Sequence, residues 1–87
     1  MIGRRLVAIN LRRLRVTRAL SQEALAVDAG LDRSYIGRLE RGAENPTVDT
    51  LDRLGLALHV ETRAFLKHPE PGEELPPTLP RGRRARK

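Results

Sequence analysis

Residues 21–42 have the sequence SQEALAVDAGLDRSYIGRLERG, and this stretch decides the fold of the chain. Ser21 and Asp32 are residue types that favour the N-cap position, so each is expected to begin a helix. Gly30 lies between them and allows a sharp turn, because glycine adopts positive φ without a steric penalty. Leucine and isoleucine side chains supply an apolar side to both segments. The stretch therefore predicts two short helices that pack together across a tight turn.

Apolar residues at helical spacing predict further helices on both sides of this stretch. One helix is expected over about residues 3–18, another begins at Thr47, and a shorter fifth helix is expected over about residues 61–67. No alternation of β-branched residues typical of a strand is present. The chain is therefore expected to be all-α, a compact bundle of five helices with a helix-turn-helix at about residues 21–42.

Composition divides the chain into two parts. Five of the six prolines follow His68, and residues 69–87 contain only two large aliphatic side chains. Such a segment buries too little apolar surface to offset the entropy lost on ordering. We therefore expect one helix-turn-helix domain over residues 1–68 and a mobile Pro/Arg-rich tail over residues 69–87. The basic cluster at the end of the tail either serves solubility or binds phosphates non-specifically.

The charge balance points to a polyanionic partner. The 87 residues include 17 Lys and Arg against 11 Asp and Glu, which gives a formal net charge of +6. Nucleic acid is the commonest partner of a small, arginine-rich chain. The absence of cysteine excludes a disulfide framework and a thiolate metal site.

The sequence shows no pattern typical of an enzyme, a metal site or a membrane segment. The two histidines, His59 and His68, have no paired acid at ligand spacing, and no glycine-rich phosphate loop or paired-carboxylate motif is present. We therefore expect no catalytic activity, no cofactor and no bound metal. No apolar run approaches the roughly 20 residues that span a bilayer, and no apolar signal segment follows the N-terminus. The sequence predicts a cytoplasmic protein that does not contact membranes.

The second helix of the helix-turn-helix presents a basic face. On a helical wheel of about 100° per residue, Arg33, Arg38 and Arg41 share one arc with Ser34 and Gly37, and no acid lies within it. A guanidinium group matches guanine O6 and N7, or a phosphate, and a helix fits the major groove of DNA. Arg33, Ser34 and Arg38 are therefore expected to read bases, and Arg41 to contact a phosphate.

Several neighbouring residues have two open interpretations. Gln22 begins the preceding helix, where an amide can hold a phosphate, or it is simply a polar first-turn residue. Tyr35 is either part of the core rim or a phosphate-binding hydroxyl. Gly37 either permits a close approach or reflects tight packing. Glu40 falls beside the apolar arc, and Arg15 of the first helix is expected to pair with it and lock the two helices together.

From about residue 11 to residue 60, the sequence resembles the Cro and phage-repressor type of helix-turn-helix, often called XRE-like. The elements that carry the resemblance are Leu-Ser-Gln-Glu at 20–23, Leu25-Ala26, Ala29-Gly30-Leu31, Ile36, Leu39-Glu40-Arg41-Gly42, Asn45-Pro46-Thr47 and Leu51. In this family, the residues at the positions of Arg15 and Glu40 form an ion pair. One departure is Gly55, where the family usually has alanine, and this glycine is expected to weaken the fourth helix.

The resemblance also implies the DNA contacts. Base-reading positions of the family fall on Arg33, Ser34 and Arg38, with Asp32 and Tyr35 as lesser contacts. Its phosphate-binding positions fall on Gln22, Arg41 and Asn45. Family members commonly dimerise, so that two recognition helices meet successive major grooves about 34 Å apart. Candidate interface residues, which could instead complete the monomer core, are Leu56, Val60, Phe65 and Leu66.

The predicted function is therefore sequence-specific binding of double-stranded DNA by a transcriptional regulator, a repressor or autoregulator that acts as a homodimer on a pseudo-palindromic operator. When bound to DNA, it would be associated with the nucleoid. The alternative is a regulator with the same DNA-binding fold whose main role is to bind a protein partner through its tail, as an antitoxin does.

Overall fold

The computed structural model describes residues 2–69, which form four α-helices and one short 3-10 helix. The elements are α1 (Ile2–Thr17), α2 (Gln22–Ala29), α3 (Arg33–Glu40), α4 (Val48–Leu58) and the 3-10 helix (Thr62–Leu66). The all-α class is confirmed, but the structure has four α-helices instead of five helices of one kind: the short fifth helix expected over about residues 61–67 is a 3-10 helix. Five residues are too few to offset the cost of nucleating an α-helix, and such short pieces commonly adopt the tighter 3-10 turn.

The expectations for the tail fall outside the described residues, apart from Pro69. They comprise the phosphate-binding arm, the tail's mobility and the binding of a protein partner. No helix within residues 2–69 is both long enough and apolar enough to cross a membrane.

Two of the three N-cap residues of α2, α3 and α4 form side-chain hydrogen bonds with their helices. Ser21 Oγ accepts a hydrogen bond of 2.9 Å from the backbone N–H three residues later, and Thr47 Oγ1 accepts the equivalent bond at 3.0 Å. Asp32 has the extended backbone of an N-cap, but its carboxylate accepts from the Ser34 hydroxyl instead of from a helix amide. The starts of α2 and α4 therefore follow directly from capping chemistry.

Arg53 of α4 stabilises the turn between α2 and α3. Gly30 ends α2 with φ 68°, the left-handed conformation that the sequence predicted for this glycine. Arg53 donates from Nη2 to the Gly30 carbonyl at 2.6 Å and from Nε to the Ala29 carbonyl at 3.2 Å. A cation at these unpaired carbonyls also stabilises the negative end of the helix dipole. Gly42, after α3, is likewise left-handed with φ 73°.

The core lies where α1 and α3, α2 and α4, and the 3-10 helix meet. Its most deeply buried side chains are Leu11, Leu25, Ile36, Leu39, Leu54, Leu58 and Phe65. Phe65 has no exposed surface, so its interpretation as an interface candidate is wrong. A domain this small must bury most of its large apolar side chains, and the 3-10 helix directs its one phenylalanine inward. Val60 also packs partly against the core, whereas Leu56 and Leu66 are exposed.

A buried amide, which the sequence analysis did not single out, joins α1 to the last described residues. Asn10 is 1% exposed, and its Nδ2 donates to the carbonyls of Leu6, Phe65 and Lys67 at 2.9, 3.0 and 2.8 Å. The two carbonyls near the 3-10 helix have no helix or sheet ladder to satisfy them. Asn10 therefore fixes the end of the domain against α1. Its place on the apolar face of α1, four residues after Leu6, is the signal that could have identified it.

Gly55 has a packing role in addition to its low helix propensity. The chain turns back after α4 through His59, which has φ 61°, and Val60 N then donates to the Gly55 carbonyl at 2.9 Å. A Cβ at position 55 would lie 2.7 Å from the Val60 carbonyl oxygen. The close return of the backbone over α4 therefore requires a residue without a side chain.

We expect Gly55→Ala to lower the free energy of unfolding by about 1 kcal/mol. Alanine gains about 1 kcal/mol of helix propensity, but overpacking costs about 1–3 kcal/mol, and the obstructing atom is backbone and cannot rotate away. Urea denaturation measures the change. Gly3→Ala is the matched control, since nothing lies within 4 Å of a Cβ there, and it should be neutral or slightly stabilising. Equal stability changes in the two variants would contradict the steric explanation.

Candidate nucleic-acid interface

One face of α3 is apolar and buried, and the other is basic and exposed. Ile36 and Leu39 are 0% and 1% exposed and anchor the helix to the core. Arg33 and Ser34 lie in its first turn and are exposed. Within residues 2–69, Arg33 has no ion-pair or hydrogen-bond partner, whereas the Ser34 hydroxyl donates to Asp32. The structure therefore presents the N-terminal end of α3 to solvent with one unpaired guanidinium group.

Arg38 is positioned by two neighbours. Its Nε donates to Glu44 Oε2 at 2.7 Å, and its Cζ lies 5.7 Å from the centre of the Tyr35 ring, within the range of a cation–π contact. The Nη1 and Nη2 atoms of Arg38 have no partner within residues 2–69, so this end of its guanidinium group is available to a hydrogen-bond acceptor. Glu44 was not identified from the sequence, because its pairing depends on how the loop after α3 folds back.

The structure places Tyr35 at the rim of the core. The residue is half-buried and packs against the apolar cluster, as one of its two interpretations proposed. Its ring also supports Arg38, so the same side chain serves both the core and the basic face. A phosphate contact through the Tyr35 hydroxyl stays a prediction.

A buried ion pair joins α3 to α1. Arg15 donates from Nε to Glu40 Oε2 at 2.6 Å and from Nη2 to Glu40 Oε1 at 2.9 Å, and the two residues are 2% and 5% exposed. Arg15 Nη1 also donates to the Leu20 carbonyl at 2.8 Å, just before α2. This is the pair expected from the sequence, in the bidentate geometry that arginine and a carboxylate favour. It fixes the relative positions of α1, α2 and α3.

The side chains of Gln22 and Arg41 both lie close to Gly37. Gln22 Nε2 donates to Glu40 Oε1 at 3.2 Å, which orients the amide at the N-terminus of α2. A Cβ at Gly37 would lie 3.8 Å from Gln22 Oε1 and 3.4 Å from Arg41 Nη1. The buried glycine is therefore covered by two polar side chains that the sequence assigned to phosphate contacts. Packing against the ends of flexible side chains, not against the core, accounts for its burial.

The expected site residues thus lie on α3, at the start of α2 and in the following loop. Asn45 is exposed in that loop, and Arg41 is exposed at the end of α3. Within residues 2–69, no group of three or more histidine, aspartate or glutamate side chains is arranged to hold a metal ion. What the arrangement offers chemically is a surface of guanidinium, amide and hydroxyl groups, which suits the oxygen and nitrogen acceptors of a nucleic acid.

Comparison with known proteins identifies the family. A family model described as helix-turn-helix matches residues 11–65. The chain belongs to this family of XRE-type helix-turn-helix proteins. The HTH-type transcriptional regulator y4dJ of Sinorhizobium fredii is 46% identical over 61 residues, which cover 67% of this chain and 79% of the relative. Membership of this family and the similarity to this regulator make the chain a DNA-binding transcriptional regulator.

Solved structures agree with this assignment. The restriction-modification controller protein C.AhdI from Aeromonas hydrophila is 40% identical with a TM-score of 0.71, and the match covers 75% of this chain and 98% of that protein. The controller protein C.Esp1396I, solved as a tetramer in complex with its natural 35 base-pair operator, is 29% identical with a TM-score of 0.69. That match covers 75% of this chain and 86% of the controller protein.

We expect Glu40→Gln to lower the free energy of unfolding by about 3–5 kcal/mol, because it leaves the Arg15 charge buried without a counter-charge. Whole domains have stabilities of only about 5–15 kcal/mol, so thermal and urea unfolding should show the loss clearly. Glu44→Gln removes a carboxylate from a solvent-accessible pair and should cost less than about 1 kcal/mol. Similar losses in both variants would show that the buried pair has no special role.

Proposed function

We propose that this chain regulates transcription by inserting α3 into the major groove of a specific operator, as a repressor or autoregulator. The observation that carries the proposal is the exposed basic face of α3, with Arg33, Ser34 and Arg38 on a helix that a buried ion pair holds in place. A helix of this kind reads base edges with its N-terminal residues. Arg33 and Arg38 are assigned bidentate contacts to guanine, and Ser34 is assigned a single base contact.

Phosphate contacts set the register of α3 on the duplex. We assign them to Gln22, Tyr35, Arg41 and Asn45. The proximity of Gln22 and Arg41 across Gly37 supports this assignment, because it brings an amide and a guanidinium group to one edge of the basic face. The positive end of the α2 dipole adds to the attraction for a phosphate near Gln22. The role needs no catalysis or cofactor, and a regulator of this kind works in the cytoplasm, associated with the nucleoid while bound.

Two copies of the chain would read a pseudo-palindromic operator. The tetramer–operator complex of C.Esp1396I supports this part of the proposal, as do the exposed leucines after the helix-turn-helix. Leu56 is 79% exposed on α4 and Leu66 is 47% exposed on the 3-10 helix, so both are available to a second copy. Val60 contributes at most its partly exposed edge, since it also packs on the core.

Selection of bound duplexes from a randomised pool tests base reading. The wild type should recover a pseudo-palindrome with half-sites about one helical turn apart. Arg33→Ala should lose about 1–3 kcal/mol of discrimination at one base pair of each half-site. Arg41→Ala should weaken binding to all sequences alike and reduce the salt slope by about 0.9 per lost phosphate contact. Equal weakening of all sequences by Arg33→Ala would overturn its assignment to a base.

Sedimentation equilibrium tests the interface. Burying a leucine contributes about 1.5–3 kcal/mol, and a twofold interface contains each residue twice. We therefore expect Leu56→Asp to weaken dimerisation by about a hundredfold or more. Val48→Asp is the matched control, because Val48 is similarly exposed, at 67%, but lies at the opposite end of α4. An unchanged dimer in Leu56→Asp would place the interface elsewhere.

A further inference from the structure

A concave groove of about 420 Å³ lies between α1 and the end of α3. Its lining residues are Arg4, Arg5, Ala8, Ile9, Arg12, Glu40, Arg41 and Gly42. Three of its four arginines come from α1, and none of these three belongs to the DNA contacts proposed above. The groove therefore presents guanidinium groups from two helices over a small apolar floor.

The groove has an excess of positive charge. Its single acid, Glu40, is already bonded through both carboxylate oxygens to Arg15. Arg12 Nε lies 3.9 Å from Glu40 Oε1, which is beyond hydrogen-bonding distance. In the part of the chain that the structure describes, Arg4, Arg5 and Arg41 have no acidic partner. Neutralising Glu40 therefore does not explain why four arginines converge there.

Two of these arginines have buried donors that lack an acceptor. The Nε atoms of Arg4 and Arg12 are shielded from solvent and have no hydrogen-bond partner within residues 2–69. Neither guanidinium group therefore has a hydrogen-bonded acid at Nε to offset its charge, and an anion in the groove would supply that offset. The planar guanidinium fork matches the tetrahedral oxygens of a phosphate, and several forks converge here on one small volume.

The groove is continuous with the proposed DNA-binding face. Arg41 lines the groove, and its Nη1 is also the group that lies over Gly37 beside Gln22. A strand whose phosphates pass Gln22 and Arg41 would thus continue directly toward the arginines of α1. This continuity favours a backbone phosphate over an unrelated small anion as the occupant.

We propose that Arg4, Arg5 and Arg12, together with Arg41, form a phosphate-binding groove that holds a DNA backbone phosphate beside the recognition helix and extends the footprint onto α1. This inference rests on the proposed function. A free phosphorylated small molecule would present the same group, so the experiment separates the two sources.

The test compares the full-length wild type with the double variant Arg4→Gln/Arg12→Gln. The charge-matched control is Arg63→Gln/Lys67→Gln, since both residues are exposed and neither lines the groove. Equal melting temperatures would establish that the variants are folded. Binding is measured at several salt concentrations on a duplex that extends several base pairs beyond the selected site. In parallel, the Nε–Hε resonances of Arg4 and Arg12 are followed by NMR during separate titrations with inorganic phosphate and with the duplex.

For the double variant, we expect the slope of log binding constant against log salt concentration to become shallower by about 0.9 for each groove that holds a phosphate. The control variant should show a much smaller change. The two Nε–Hε resonances should shift with the duplex. If these resonances shift with inorganic phosphate alone and the salt slope is unchanged, the groove does not bind a DNA phosphate. Its occupant would then be a free phosphorylated small molecule. If neither titration moves them, the groove is not a phosphate site. Failure of the proposed function would give a different result from failure of the groove proposal, because the wild type itself would then select no sequence from the randomised pool.

Discussion

The buried ion pair between Arg15 and Glu40 anchors to α1 the helix that carries the proposed DNA-binding face. It joins α1 to α3 through two hydrogen bonds, and Arg15 also donates to the Leu20 carbonyl just before α2. Such a pair contributes little net stability over a well-packed apolar substitute, but it tolerates few alternative arrangements. Here it ties the last residue of α3 to α1 and to the segment before α2.

The same pair shapes the electrostatics of the surface. Arg15 is hydrogen-bonded to both carboxylate oxygens of Glu40, so Glu40 adds little negative charge to the arginines that line the groove beside it. Arg41 belongs to both the proposed DNA face and the α1 groove, with Gln22 beside it. Low-dielectric surroundings and converging charges of one sign strengthen attraction for phosphate. The site on α3 and the groove are thus two parts of one surface.

Small residues set how closely the elements approach. Gly55 lets the chain return over α4, and Gly37 lets Gln22 and Arg41 close over α3. The sequence alone marks both as costly inside a helix. What it does not reveal is which neighbour comes close, and the two cases differ. The close neighbour of Gly55 is the backbone of Val60, whereas the close neighbours of Gly37 are the ends of two flexible polar side chains.

The sequence by itself determined the helix boundaries of the helix-turn-helix, the basic face of α3 and the pairing of Arg15 with Glu40. The helix boundaries follow from capping chemistry, the basic face from the helical repeat of 3.6 residues per turn, and the ion pair from that repeat and the family pattern. Each of these can be read from residue types and their spacing along the chain. Only the tertiary structure decided the burial of Phe65, the role of Asn10, the contact between Arg38 and Glu44, and the groove on α1. Each of these brings together residues from separate elements, and such contacts depend on how the helices pack.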